Sequence, residues 1–106
     1  VVATDVLYKT PAEIIPYEAD FTDLLTDDTA LASTSTVTAV DDSNTDASTT
    51  VISGATESGM IESFNIIAGT DGRDYTFTVT GIGLTTAAKR EIIVEVRVRS
   101  KLQGAL

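Results

Sequence analysis

The sequence predicts an all-β protein, an antiparallel two-sheet sandwich of about seven strands. Three observations predict it. The last third of the chain holds two long runs in which apolar and polar residues alternate, joined by a short connection. Turn signals recur every 8–15 residues along the chain. No stretch carries the apolar period of an amphipathic helix. At 106 residues the chain suffices for one domain and is too short for two. A chain of this size buries roughly two thirds of its unfolded surface, enough for a two-layer core without covalent staples.

The elements follow in order. Residues 1–10 have no clean period and end at Pro11; they read as an N-terminal arm or a leading strand, with residues 11–106 as the folded domain. From Ile15 the chain alternates, with Ile15, Tyr17, Ala19 and Phe21 on one face and Pro16, Glu18 and Asp20 on the other. Pro16 cannot donate to a ladder, so this strand belongs at an edge or a sheet start. Phe21–Leu25 suits one helical turn, and Thr26–Asp28 a tight turn. Residues 30–40 are rich in Ser, Thr, Ala and Val, with Leu31 and Val37 the inward candidates. Asp41–Thr50 is polar or small throughout and reads as an exposed loop. Val51–Ile52 is a short strand closed by Gly54, and residues 55–59 turn at Gly59. Met60–Ile67 is apolar on both parities, as in a strand inside a sandwich, and Gly69–Gly72 is a turn.

The last third is the clearest part. Tyr75, Phe77 and Val79 alternate with threonines, and Ile92, Val94, Val96 and Val98 alternate with Ile93, Glu95, Arg97 and Arg99. Two such strands form an antiparallel hairpin, and these seven residues are the expected core. Strand number and spacing suit the immunoglobulin-like arrangement, with a small barrel as the alternative. Tyr75, at the start of the penultimate strand, is either a corner tyrosine of that fold or ordinary core.

Composition removes most chemistry. The chain has no His, Cys or Trp. The usual neutral-pH bases, soft metal ligands and nucleophilic triads are therefore missing. A Ser–Lys dyad is disfavoured because Lys9, Lys89 and Lys101 stand in polar contexts. Gly81-Ile-Gly83 lacks the third glycine of a dinucleotide loop. Asp42-Ser-Asn44-Thr-Asp46 opens like a calcium loop, but Ala47 and Ser53 stand where that loop needs Gly and Glu. No enzyme activity, metal site or cofactor is expected. The net charge of −9 makes nucleic acid and anionic membranes poor partners, and no apolar run reaches the length of a membrane span.

Charge is unevenly placed. Residues 89–106 carry five cations and two acids, +3, whereas residues 1–88 carry two cations and fourteen acids, −12. This reads either as a cationic strand beside anionic neighbours of the same domain or as a basic seam that meets an acidic surface on a partner or on another copy. The expected assembly contacts are Val2, Val6, Leu7 and Tyr8 of the arm with Lys89, Arg90, Arg97, Arg99 and Lys101 of the seam. The arm is expected to add to a neighbour's sheet edge, so that deleting residues 1–9 spares the fold and abolishes assembly.

Two segments carry a resemblance. One is Tyr8-Lys9-Thr10-Pro11 through Tyr17-Glu18-Ala19-Asp20-Phe21. The other is Gly69-Thr-Asp-Gly72-Arg-Asp-Tyr75-Thr-Phe77-Thr-Val79, followed by Thr85-Thr86-Ala87-Ala88-Lys89-Arg90 and the final strand. In order and spacing they resemble the Ig-like fibre–tail adaptor proteins of tailed bacteriophages. The resemblance covers most of residues 8–100 and departs at Ala87-Ala88-Lys89 and Ile66–Gly69. It implies a structural virion protein at the tail or neck, present in several copies as a homo-oligomeric ring, with tail, neck or fibre subunits as partners. An Ig-like adhesion or carbohydrate-binding module, or a capsid decoration protein, is the alternative. Exposed aromatics would favour sugar binding, and only Tyr8 of the six aromatics looks free.

Overall fold

The structure, a computed structural model, describes residues 5–100. It contains seven strands and one helical turn: β1 Asp5–Lys9, β2 Ile15–Asp20, β3 Thr36–Asp41, α1 Ser48–Val51, β4 Ile52–Ser58, β5 Ile61–Ile66, β6 Asp74–Ile82 and β7 Lys89–Val98. They form a four-stranded sheet, β1-β7-β6-β3, packed on a three-stranded sheet, β2-β5-β4. This is the two-sheet immunoglobulin-like order, with the first strand moved beside the last.

All neighbours are antiparallel except β1 and β7, which run parallel from Asp5↔Val94 to Lys9↔Val98. Of the two readings of residues 1–10, the described part takes the second: Asp5–Lys9 are the leading strand of the sheet, not an arm. The sequence concealed this because the strand is apolar on both faces and places a lysine inward. Lys9 is fully buried, contrary to the polar context expected for it. Its stem shares the inward face with Leu7, and its ammonium donates to the carbonyls of Thr10 (2.7 Å) and Ala68. Burial lowers its pKa, against the pull of the Glu13 carboxylate. Removing residues 1–9 would therefore strip an edge strand and a buried side chain from the domain, contrary to the expectation that the fold would be spared.

The seven expected core residues of β6 and β7 are all buried. Phe77 stacks on Phe64 of the opposite sheet with ring centroids 6.0 Å apart, which fixes the spacing of the two layers. Tyr75 is both core and corner: it is buried, and its hydroxyl accepts from the Thr70 backbone N–H at 2.9 Å. Phe21 is fully buried with its ring over Gly81, where a Cβ would lie 2.7 Å from a ring carbon. A glycine in mid-strand here makes room for an aromatic ring.

Residues 41–52 differ from the single exposed loop and short strand expected. Asp41 ends β3, Asp46 bridges back to Val40, and Ser48–Val51 form one helical turn with Val51 buried. The polar side chains supply the local bonds. The Asp41 carboxylate accepts from the N–H of Ser43 and Thr45, and that of Asp46 accepts from the N–H and hydroxyl of Ser48. Gly54 does not close its strand. It sits at φ 63° inside β4, where the register slips between Ser53 and Thr56, so the glycine bends the strand and β4 runs on to Ser58.

In β5 the inward residues are Glu62, Phe64 and Ile66. Glu62 was invisible as a core residue because the sequence shows it only as a charge among apolar neighbours. It is 1% exposed, and its Oε1 has no hydrogen-bond partner.

Candidate assembly surface

Val6 and Tyr8 lie on the outer face of the four-stranded sheet, and both are about half exposed (46% and 51%). Parallel pairing sets Val6 beside Glu95 and Tyr8 beside Arg97. Arg97 stands 5.7 Å from the Tyr8 ring centroid and donates to the Tyr8 hydroxyl at 2.9 Å. It also pairs with Glu95 at 2.7 Å. Leu7 turns the other way and packs on the core. Val2 and Lys101 lie outside the described residues. Arg99, at the same end of β7, pairs with Asp74 at 2.9 Å.

The basic seam is thus divided. Arg97 and Arg99 are compensated within the chain. Lys89 and Arg90 are exposed at the far end of β7, opposite Ile82 and Gly81. Seven residues of strand, roughly 23 Å, separate Arg90 from Arg97. Among the described residues Lys89 and Arg90 take part in no ion pair.

The connection from β6 to β7 adds a residue that the sequence did not single out. Leu84 is 63% exposed at the tip of this loop. The loop is tightly held: Gly83 N–H donates to Ala88 O, Ala87 N–H to Gly83 O, and Leu84 N–H to Ala30 O. Asp28 fastens it from the neighbouring turn, accepting from Thr85 N–H at 2.7 Å, Thr86 N–H at 3.2 Å and the Thr86 hydroxyl. The Thr86 hydroxyl, then the Thr85 amide, hold the Asp28 carboxyl below its usual range. A side chain at Gly83 would meet the Asp28 carboxylate, because a Cβ would stand 2.1 Å from its Oδ2. An apolar tip is therefore presented in a fixed shape beside two uncompensated cations. Among the described residues a further large exposed apolar side chain, Ile14 (65%), lies in the turn at the opposite end.

The acids of the calcium-like stretch are engaged within the chain. Asp42 pairs with Arg73 at 2.7 Å, and Asp41 and Asp46 cap their own turns. No group of three metal-ligating side chains occurs among the described residues. What the geometry offers is surface: an edge bearing Val6 and Tyr8, and a stiff tip bearing Leu84, Lys89 and Arg90.

The model of one protein family, the podophage GP4 fiber-tail adaptor protein gp77, matches residues 9–99. The chain belongs to this family. The adaptor is a structural protein of the virion's tail region. The match spans β2 to β7 in full and meets β1 only at Lys9. It includes the Asp28-fastened loop, whose sequence carried part of the resemblance. Comparison with curated proteins and with solved structures gave no significant match.

Proposed function

We propose that this adaptor is a non-enzymatic connector, present in several copies as a ring, that joins the phage tail to its fibres. The family match over residues 9–99 carries the reading. The composition agrees with it, since a chain without His or Cys lacks the usual catalytic groups. The Leu84, Lys89 and Arg90 tip is the surface on which we place the contact to the next copy or to a tail or fibre subunit. Its two cations suit an acidic surface, and the rest of the chain is itself strongly acidic.

The test is a charge reversal at the tip. Lys89→Glu with Arg90→Glu changes two exposed side chains and leaves the core alone. The isolated variant is expected to keep the wild-type circular dichroism spectrum and melting curve. Particles assembled with it are expected to lose the label of a tagged adaptor from their tails, together with their fibres. Tails that incorporate the variant at wild-type copy number would refute the placement of the contact. A label found away from the tail would refute the connector reading itself.

A further inference from the structure

The end of the sandwich away from the Leu84 tip holds a cleft of about 400 Å³, within the size range of pockets that enclose a ligand. Asp41 and Asp46 line it from the hairpin that leads into α1, and Ala68 and Thr70 line it from the loop after β5. Beneath them lie Val51 and Tyr75, both buried, so the floor is apolar. The shape is set in advance. Ile67 N–H donates to Val51 O, the Tyr75 hydroxyl accepts from Thr70 N–H, and the Lys9 ammonium donates to Ala68 O. A surface held in this way loses little freedom when it is filled.

The charge of the cleft is uncompensated. Asp41 and Asp46 cap their turns through Oδ1, and among the described residues the Oδ2 of each makes no hydrogen bond. A carboxylate has about four acceptor positions, so both can still accept from a cation. Capping also keeps the charge in place: the Ser48 hydroxyl, then its amide, hold the Asp46 carboxyl below its usual range. Arg73 is taken by Asp42 at 2.7 Å, and among the described residues neither Asp41 nor Asp46 is in an ion pair.

The tip is the counterpart of this cleft. It carries one exposed leucine and two exposed cations in no ion pair, against an apolar floor and two carboxylates in no ion pair. The nine residues of β6, roughly 30 Å of strand, lie between the two. No chain can fill its own cleft, so tip and cleft meet only between copies. We propose that the tip of one copy seats in the cleft of the next, with Leu84 on the apolar floor and Lys89 and Arg90 against Asp41 and Asp46. This rests on the several-copies part of the reading above and names the surface that receives the tip. The contact is heterologous: each copy gives its tip to one neighbour and its cleft to the other. Copies therefore add in a row, which closes as a ring where successive rotations complete a turn.

The test uses the full chain in solution at low ionic strength. Sedimentation velocity at high micromolar concentration is expected to show species larger than a dimer. They are expected to shift towards monomer in 1 M salt, where the screening length falls to about 3 Å. Two variants then block opposite ends. Lys89→Glu with Arg90→Glu spoils the tip. Thr70→Lys alters an exposed side chain that makes no hydrogen bond and puts a cation at the cleft. Each alone is expected to be monomeric with the wild-type circular dichroism spectrum. When they are mixed, the intact cleft of the first takes the intact tip of the second, and a 1:1 dimer with nothing larger is expected. Leu84→Glu is expected to behave as the first variant does and to be rescued by the same partner. A monomeric wild type, self-association that survives either block, or a mixture that stays monomeric would each overturn the proposal. So would a monomeric chain whose tip binds an acidic segment of a different tail protein. The connector reading is judged separately by tail labelling, which a monomer in solution can still pass.

Discussion

Replacing Glu62 by Gln isolates the effect of one buried charge. Glu62 points into the sandwich at 1% exposure, its Oε1 is unpartnered, and Glu57 stands directly opposite on β4. Burial, and secondarily the Glu57 charge, raise its carboxyl from the ordinary 4.5 to about 7. The sign follows from linkage. For a carboxyl whose pKa is raised by folding, the stabilisation is fully present below the unfolded value and is lost as pH rises through the folded one. A shift from 4.5 to about 7 corresponds to roughly 3 kcal/mol between pH 4 and pH 8. That is an upper bound, because relaxation lets water reach the ion. Gln cannot ionise, so Glu62→Gln is expected to stabilise by no more than about 1 kcal/mol at pH 5 and by up to ~3 kcal/mol at pH 8, or on the order of 10 °C in Tm. Urea unfolding of both proteins at pH 5 and pH 8 measures this. The window is clear of histidine, which the chain lacks, and the carboxyls of Asp20, Asp28, Asp42, Asp46 and Asp71 are held low by their hydrogen bonds. An equal effect of the substitution at the two pH values would refute the reasoning.

Val96→Asp should abolish folding, since Val96 is 1% exposed and an unpaired buried carboxylate costs several kcal/mol, comparable to the whole stability of a small domain. Arg97→Asp, one residue on and facing out, should leave the chain folded, because it breaks only exposed contacts with Glu95 and Tyr8; comparable unfolding of the two by circular dichroism would mean that the β7 register is wrong. Gly83→Ala should cost about 1–3 kcal/mol in chemical denaturation, because the new methyl displaces the Asp28 carboxylate from Thr85 and Thr86, and hydrogen exchange at the Thr85 amide should quicken. Millimolar calcium should leave the melting temperature unchanged, since Asp41, Asp42 and Asp46 are already engaged by Ser43, Arg73 and Ser48; a rise of several degrees reversed by chelator would contradict this.

The hairpin of β6 and β7 was legible in the sequence because its two faces differ along the whole length of both strands. The corner role of Tyr75 was legible as one of two possibilities, and the Thr70 bond decides it. Three features were not legible, each for a physical reason. Strand β1 places Lys9 inward, where backbone carbonyls solvate the ammonium, and no periodicity rule anticipates that. Glu62 breaks the apolar pattern of β5 from within the core. Residues 41–51 gain their order from side chains bonding to nearby backbone, and composition alone scores such residues as loop. The candidate surface was half legible. Tyr8 and Arg97 meet, and Val6 lies beside Glu95 on the same face, but the seam they were grouped with is split by internal ion pairs and by the length of β7. Leu84 was missed because its exposure depends on the Asp28-fastened loop.

The parallel contact of β1 with β7 also sets the order of events during synthesis. Asp5 pairs with Val94, 89 residues later in the chain. At about 5–20 residues per second, β1 waits on the order of several seconds or more before its partner exists. Throughout that interval the nascent chain carries an unpaired strand and an unsheltered lysine, while the β6–β7 half of the four-stranded sheet is still being made. So distant a pairing is slow to close. The domain can therefore be completed only after β7 has left the ribosome, and its N-terminal strand, though made first, is placed among the last.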